Sequence, residues 1–138
     1  MEALMKFGKI VGAAMAAGVL GAAAPALAHH AINAQFDVAK EVELTGVLTA
    51  VRAINPHSVW EFDMKNAQGQ VEHWTFGSAA PAILRRAGVK LREDVKVGNT
   101  YTVHFNPPRA DQKLGYMRAI DINGKTVPIT NLADVRGE

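Results

Sequence analysis

The chain has 138 residues, with 15 Lys and Arg against 13 Asp and Glu, five histidines and no cysteine. The missing cysteines exclude a disulfide framework, a thiolate metal site and a thiol nucleophile. A formal charge of +2 is too small to recruit phosphate backbones by bulk electrostatics, so no nucleic-acid partner is expected.

The N-terminus reads as an export leader. Lys6 and Lys9 form a positive n-region, residues 10–24 an apolar stretch rich in Ala and Gly, and Ala26-Leu27-Ala28 an A-x-A cleavage site, with Pro25 just before it. The apolar run is shorter than the ~20 residues that span a bilayer, so cleavage after Ala28 is expected, with no stable membrane insertion afterwards. No twin arginine precedes the run and no cysteine follows it to carry a lipid. Residues 1–28 are therefore read as a signal peptide and residues 29–138 as one small periplasmic domain. Within that domain 13 basic side chains face 12 acidic ones, a nearly balanced surface.

After a short polar lead, "KEVELTGVLTAVRAI" (40–54) is rich in Val, Leu and Thr and reads as a long strand, with Gly46 as a bulge or sharp bend. "NPH" (55–57) breaks it. "SVWEFDMK" (58–65) alternates, with Trp60, Phe62 and Met64 on the inward face. "NAQG" (66–69) turns into "QVEHWTFG" (70–77). Pairing Asn66 with Gln70 around a three-residue loop, with Gly69 left-handed, sets Phe62 opposite Trp74, Trp60 opposite Phe76 and Asp63 opposite His73.

"SAAPAILRRAG" (78–88) reads as one short helix, with Ser78 as N-cap, Pro81 in the first turn and Gly88 as the stop. "VKLREDVKVGN" leads through a Gly-Asn turn to "TYTVHFN" (100–106), where Tyr101, Val103 and Phe105 point inward and Thr102 and His104 outward. Pro107 and Pro108 end that strand. "YMRAIDI" (116–122) follows, and Asn123-Gly124 makes a tight hairpin into "KTVPI". The order predicts a mainly β fold: a small OB-like five-stranded antiparallel barrel with one short helix between strands 3 and 4. The alternative is an antiparallel meander or sandwich with a capping helix.

Chemistry concentrates on histidine. Cleavage after Ala28 gives His29 a free α-amine, with an ordinary pKa of about 7.7 to 8.0, beside its own imidazole, and the two close a chelate ring on a metal. One further imidazole completes a T-shaped, all-nitrogen site suited first to Cu(II) and next to Zn(II) or Ni(II). His57 is the expected third ligand, because the Asn55-Pro56 corner lies in a loop that OB barrels use as a ligand-binding rim. His30 and His104 are the further candidates. Against this stand a turn whose His57 bonds a backbone carbonyl and a His29-His30 start that is only a tail.

Other constellations are weaker. Asp63 with His73 reads as a cross-strand surface contact. Glu61 and Asp63 stand about 7 Å apart, as any i, i+2 pair does on a strand. Ser58 and Ser78 sit in no G-x-S-x-G elbow. No acid, base and nucleophile set emerges, so no catalytic residue is assigned. The six strand aromatics, Trp60, Phe62, Trp74, Phe76, Tyr101 and Phe105, read as core.

His29-His30 after a signal peptide, Phe36-Asp37, "LTG" at 44–46, "NPH" at 55–57 with Trp60, the "APAILRRAG" helix and the Asn-Gly hairpin together resemble a family of short exported bacterial proteins known only as a domain of unknown function. The chain differs from that pattern in carrying Ala31 in place of a serine after the histidine pair, and Ala82 in place of an asparagine after Pro81. The resemblance implies a periplasmic OB-like barrel and brings no activity, cofactor or site residues. The expected function is thus a copper-binding or carrier module. The alternative is a non-metal binding or scaffold module for a peptide, glycan or other envelope partner.

Overall fold

In the computed structural model, which describes residues 32–130, strand alternation decides what lies inside. In β2 (Ser58–Lys65) every second side chain is buried: Ser58, Trp60, Phe62 and Met64. Tyr101, Val103 and Phe105 do the same in β4 (Thr100–Asn106). The remaining strands are β1 (Val42–Arg52), β3 (Val71–Ser78), β5 (Leu114–Ile122) and β6 (Lys125–Pro128), with helices α1 (Pro81–Arg86) and α2 (Leu91–Asp94) between β3 and β4. A helical turn over residues 32–35 precedes β1.

The sheet order is β3-β2-β1-β4-β5-β6, and a further β3–β5 pairing closes β1 to β5 into a barrel of OB topology. The expected five-stranded OB-like barrel is present, with four of its five strand pairs antiparallel. A ring of five strands cannot alternate direction all the way round, and the closing β3–β5 pair is parallel. β6 extends the sheet beyond the ring as the partner of β5.

The β2–β3 hairpin has the expected register: Phe62 opposes Trp74, Trp60 opposes Phe76 and Asp63 opposes His73. Gly69 holds a left-handed φ of 76°, and Asn66 Oδ1 accepts bonds from the amides of Gln68 at 3.0 Å and Gln70 at 2.9 Å. Inside the barrel Phe76 meets Phe105 and Phe62 at centroid distances of 4.9 and 5.8 Å, an edge-on arrangement that aromatic quadrupoles favour. Trp74 is only partly buried; it stacks on Phe76 and carries Lys113 Nζ 5.4 Å from its ring centroid.

Three local expectations change. The irregularity in β1 falls between Leu48 and Ala50, not at Gly46. Gly46 serves close approach, since a Cβ there would stand 2.6 Å from both the Asp63 carbonyl oxygen and Met64 Cγ. Ser78 does not cap α1, whose N-cap is Ala80 with no side-chain bond. Ser78 is instead the buried last residue of β3, and its hydroxyl accepts the Trp60 indole N–H at 2.9 Å. Finally, α2 is a second helical turn, ordered by the Asp94 carboxylate accepting the Lys90 amide at 2.8 Å.

Candidate functional site: a groove at the barrel seam

The closing pair of strands is short. Thr75, Phe76 and Gly77 of β3 face Leu114, Gly115 and Tyr116 of β5, and nothing more. A Cβ on Gly77 would find only Tyr116 Cδ2, at 3.8 Å. The missing side chain leaves the outer surface of the seam hollow.

Into this hollow the segment preceding β1 folds back. Phe36 bridges to Pro108, the Asp37 amide donates to the Pro107 carbonyl at 2.8 Å, and the Arg109 amide donates to the Gln35 carbonyl at 3.0 Å. Arg109 Nε adds a bond to the Asn33 carbonyl at 3.0 Å. Phe36 and Tyr116, with ring centroids 6.0 Å apart, form a small apolar cluster to which Ile32, Val38 and Leu114 add. The polar lead expected ahead of β1 is therefore, from Ile32 onward, a packed element.

Between this segment, the seam and the β1–β2 loop lies a groove of about 470 Å³, lined among others by Ile32, Phe36, His57, Gly77 and Tyr116. The Asn55–Pro56 peptide is cis. His57 is half-buried and stands edge-on to Tyr116 at a centroid distance of 6.3 Å. Its Nδ1 is buried and has no hydrogen-bond partner, so the carbonyl-bonded turn weighed above does not occur at this nitrogen. A buried polar atom without a partner costs stability unless something fills its place, and the chemistry open to an imidazole nitrogen is to bond a ligand or a metal.

The other histidines fall elsewhere. His104 is outward on β4 with its side chain 15% exposed. Its Nε2 lies 3.1 Å from Asp121 Oδ1, and its Nδ1 lies 3.7 Å from Glu43 and 4.0 Å from Glu41. None of these residues lines the groove, so the structure does not bring His104 to His57. Asp121 is held below the usual carboxylate range, first by a hydrogen bond from Thr126, with burial opposing and the His104 ring adding to the effect. His73 lies 2.8 Å from Asp63 and 3.6 Å from Glu61, the cross-strand contact anticipated, and Arg52 pairs with Glu61. His29 and His30 lie outside the described residues. Among the described residues no group of three or more His, Asp or Glu could hold a metal ion.

The groove walls contributed by Ile32, Phe36, Leu114 and Tyr116 were not anticipated. One signal was available: Phe36 is the sole aromatic in the lead, and a large apolar side chain in a polar stretch marks a contact made somewhere.

The sequence matches a family of unknown function, DUF6152, over residues 16–117. No curated protein matches it. Among solved structures it is similar to the mitochondrial single-stranded DNA binding protein Rim1 of S. cerevisiae, with 13% identity, a TM-score of 0.47, and coverage of 61% of this chain and 92% of that one. It is also similar to the N-terminal domain of PriB from Thermoanaerobacter tencongensis, with 11% identity, a TM-score of 0.41, and coverage of 63% and 99%. Likeness at this level brings no ligand with it.

Proposed function

We propose that this chain, which belongs to the DUF6152 family of unknown function, is an exported periplasmic module that binds or carries a metal ion, copper first, at the His57 groove. The observation that carries the reading is the buried, unpartnered Nδ1 of His57 in a groove that Ile32 also lines. Two residues, His30 and Ala31, lie between His29 and Ile32, and three residue steps span at most about 10 Å, which keeps the amine and imidazole of a mature His29 within about that distance of the groove that Ile32 and His57 both line.

With no metal cluster among the described residues, His57 is one ligand and the others come from the segment before Ile32. His29 supplies two nitrogens and His57 a third, a neutral set that suits Cu(II). Binding releases the amine proton, so affinity rises with pH through the amine's range. His104 is left out of the ligand set because its ring is engaged by Asp121 and Glu43. Carriage without turnover fits the want of an acid, base and nucleophile constellation.

Isothermal titration with Cu(II) of protein beginning at His29 tests this, alongside a form with one extra N-terminal Gly and a His57→Ala variant. Both altered forms are expected to lose the tight binding step. Equal affinity in all three removes the amine and His57 from the account.

The apolar walls favour a second reading: a peptide or envelope partner lays an apolar side chain in the groove while one of its backbone amides donates to His57 Nδ1. On that reading chelators leave the melting temperature and partner capture unchanged, while His57→Ala still weakens capture.

A further inference from the structure

The end of β1 and the two helices border a second, open cavity, of about 460 Å³, which shares no lining residue with the His57 groove. Its floor is apolar. Val89 is 1% exposed, and Val51 and Leu91 pack against the core. Its rim carries Arg85, Lys90 and Arg92, and among the described residues no acidic side chain lines it. Lys90 pairs with Glu93 at 3.1 Å. The guanidinium groups of Arg85 and Arg92 have no hydrogen-bond or ion-pair partner among the described residues.

Two unpaired guanidinium groups over an apolar floor specify both halves of a ligand. A guanidinium fork matches a carboxylate in two parallel hydrogen bonds. The floor excludes a bare anion as the preferred occupant, because it would stay wet, whereas each methylene laid on it adds to affinity. The volume lies within the range of small-molecule sites and takes one chain, not the two of a phospholipid. We propose that this cavity binds a free acyl carboxylate, with its chain on Val51, Val89 and Leu91 and its headgroup between Arg85 and Arg92. The site stands independently of the metal reading.

The test is titration with dodecanoate below its micellar concentration, with acetate in parallel, read by calorimetry and by methyl NMR shifts. It uses the wild-type protein and an Arg85→Gln/Arg92→Gln variant. Both arginines are exposed and unpartnered, so the variant is expected to melt as the wild type does; either single substitution serves if it does not. The expected result is one dodecanoate per chain, shifts at Val89 and Leu91 but not at Leu114, no measurable acetate binding, and affinity about tenfold lower or more in the variant. Absence of dodecanoate binding, shifts confined to Leu114, unchanged affinity in the variant, or acetate binding as tight as dodecanoate overturns the proposal.

Discussion

Gly115 is the position where one added methyl group tests how the barrel closes. A Cβ there would stand 2.5 Å from Phe105 Cδ2 and 2.6 and 2.7 Å from Phe76 Cδ1 and Cε1, against about 3.5 to 4.0 Å for comfortable carbon contact. Each ring must therefore retreat by roughly 1 Å, yet Phe76 is 0% and Phe105 1% exposed, and both are packed among other core side chains. Overpacking of this kind costs about 1 to 3 kcal/mol. For a domain of this size each kcal/mol lowers the melting temperature by about 4 to 8 °C. Gly77 is the control, since it belongs to the same parallel pair and its Cβ would meet only Tyr116, at the ordinary distance of 3.8 Å. Gly77→Ala is expected to be neutral, or to stabilise slightly through the unfolded chain. Urea unfolding of the two variants beside the wild type measures the difference. If both lose the same stability, the clash is not what makes glycine necessary at residue 115.

Ser78→Ala leaves the Trp60 indole N–H buried without its acceptor and is expected to cost about 1 to 3 kcal/mol in denaturant unfolding; a cost near zero would mean that the bond at 2.9 Å contributes nothing. Asp121 has its carboxyl pKa lowered below the ordinary 3.8 by Thr126 and His104, so the stability it contributes is present above 3.8 and is lost as pH falls through the lower folded-state value. The melting-temperature gap between wild type and Asp121→Asn should accordingly shrink on acidification below that point, and a gap that widens there refutes the assignment. At the β5–β6 turn Asn123 has φ 53° and Gly124 φ 74°, so Asn123→Val is expected to lose about 1 to 2 kcal/mol while Asn123→Gly stays near wild type; equal melting temperatures would count against strain at this turn.

The parts of the fold legible in the residues are those governed by local rules. Alternation in "SVWEFDMK" and "TYTVHFN" places Trp60, Phe62, Tyr101, Val103 and Phe105 inside, and it does so. The Asn-Ala-Gln-Gly loop fixes the β2–β3 register because a left-handed Gly69 permits a single pairing. Ser78 shows the limit. A serine three positions before the helix-opening Pro81 has the look of a cap, but Trp60, eighteen positions earlier, presents a buried N–H that needs an acceptor more urgently than an exposed helix end does. Such long-range demands leave no mark at the residue they recruit.

The same limit explains why His57 could be named a candidate from the sequence while the groove around it could not be foreseen. Four consecutive residues of β5, Gly115, Tyr116, Met117 and Arg118, are all buried, which alternation alone forbids in a strand with one wet face. The strand is covered on both sides: Met117 faces the core, Tyr116 meets Phe36 outside the barrel, and Arg118 donates to Asn106 Oδ1 at 3.0 Å. An odd ring of strands must contain one parallel pair, that pair is only three rungs long, and glycines occupy both of its strands. A seam so thin exposes backbone and apolar side chains unless another segment lies over it. The segment led by Ile32 does so, and the hollow it fails to fill is the place where the unpartnered nitrogen of His57 comes to rest.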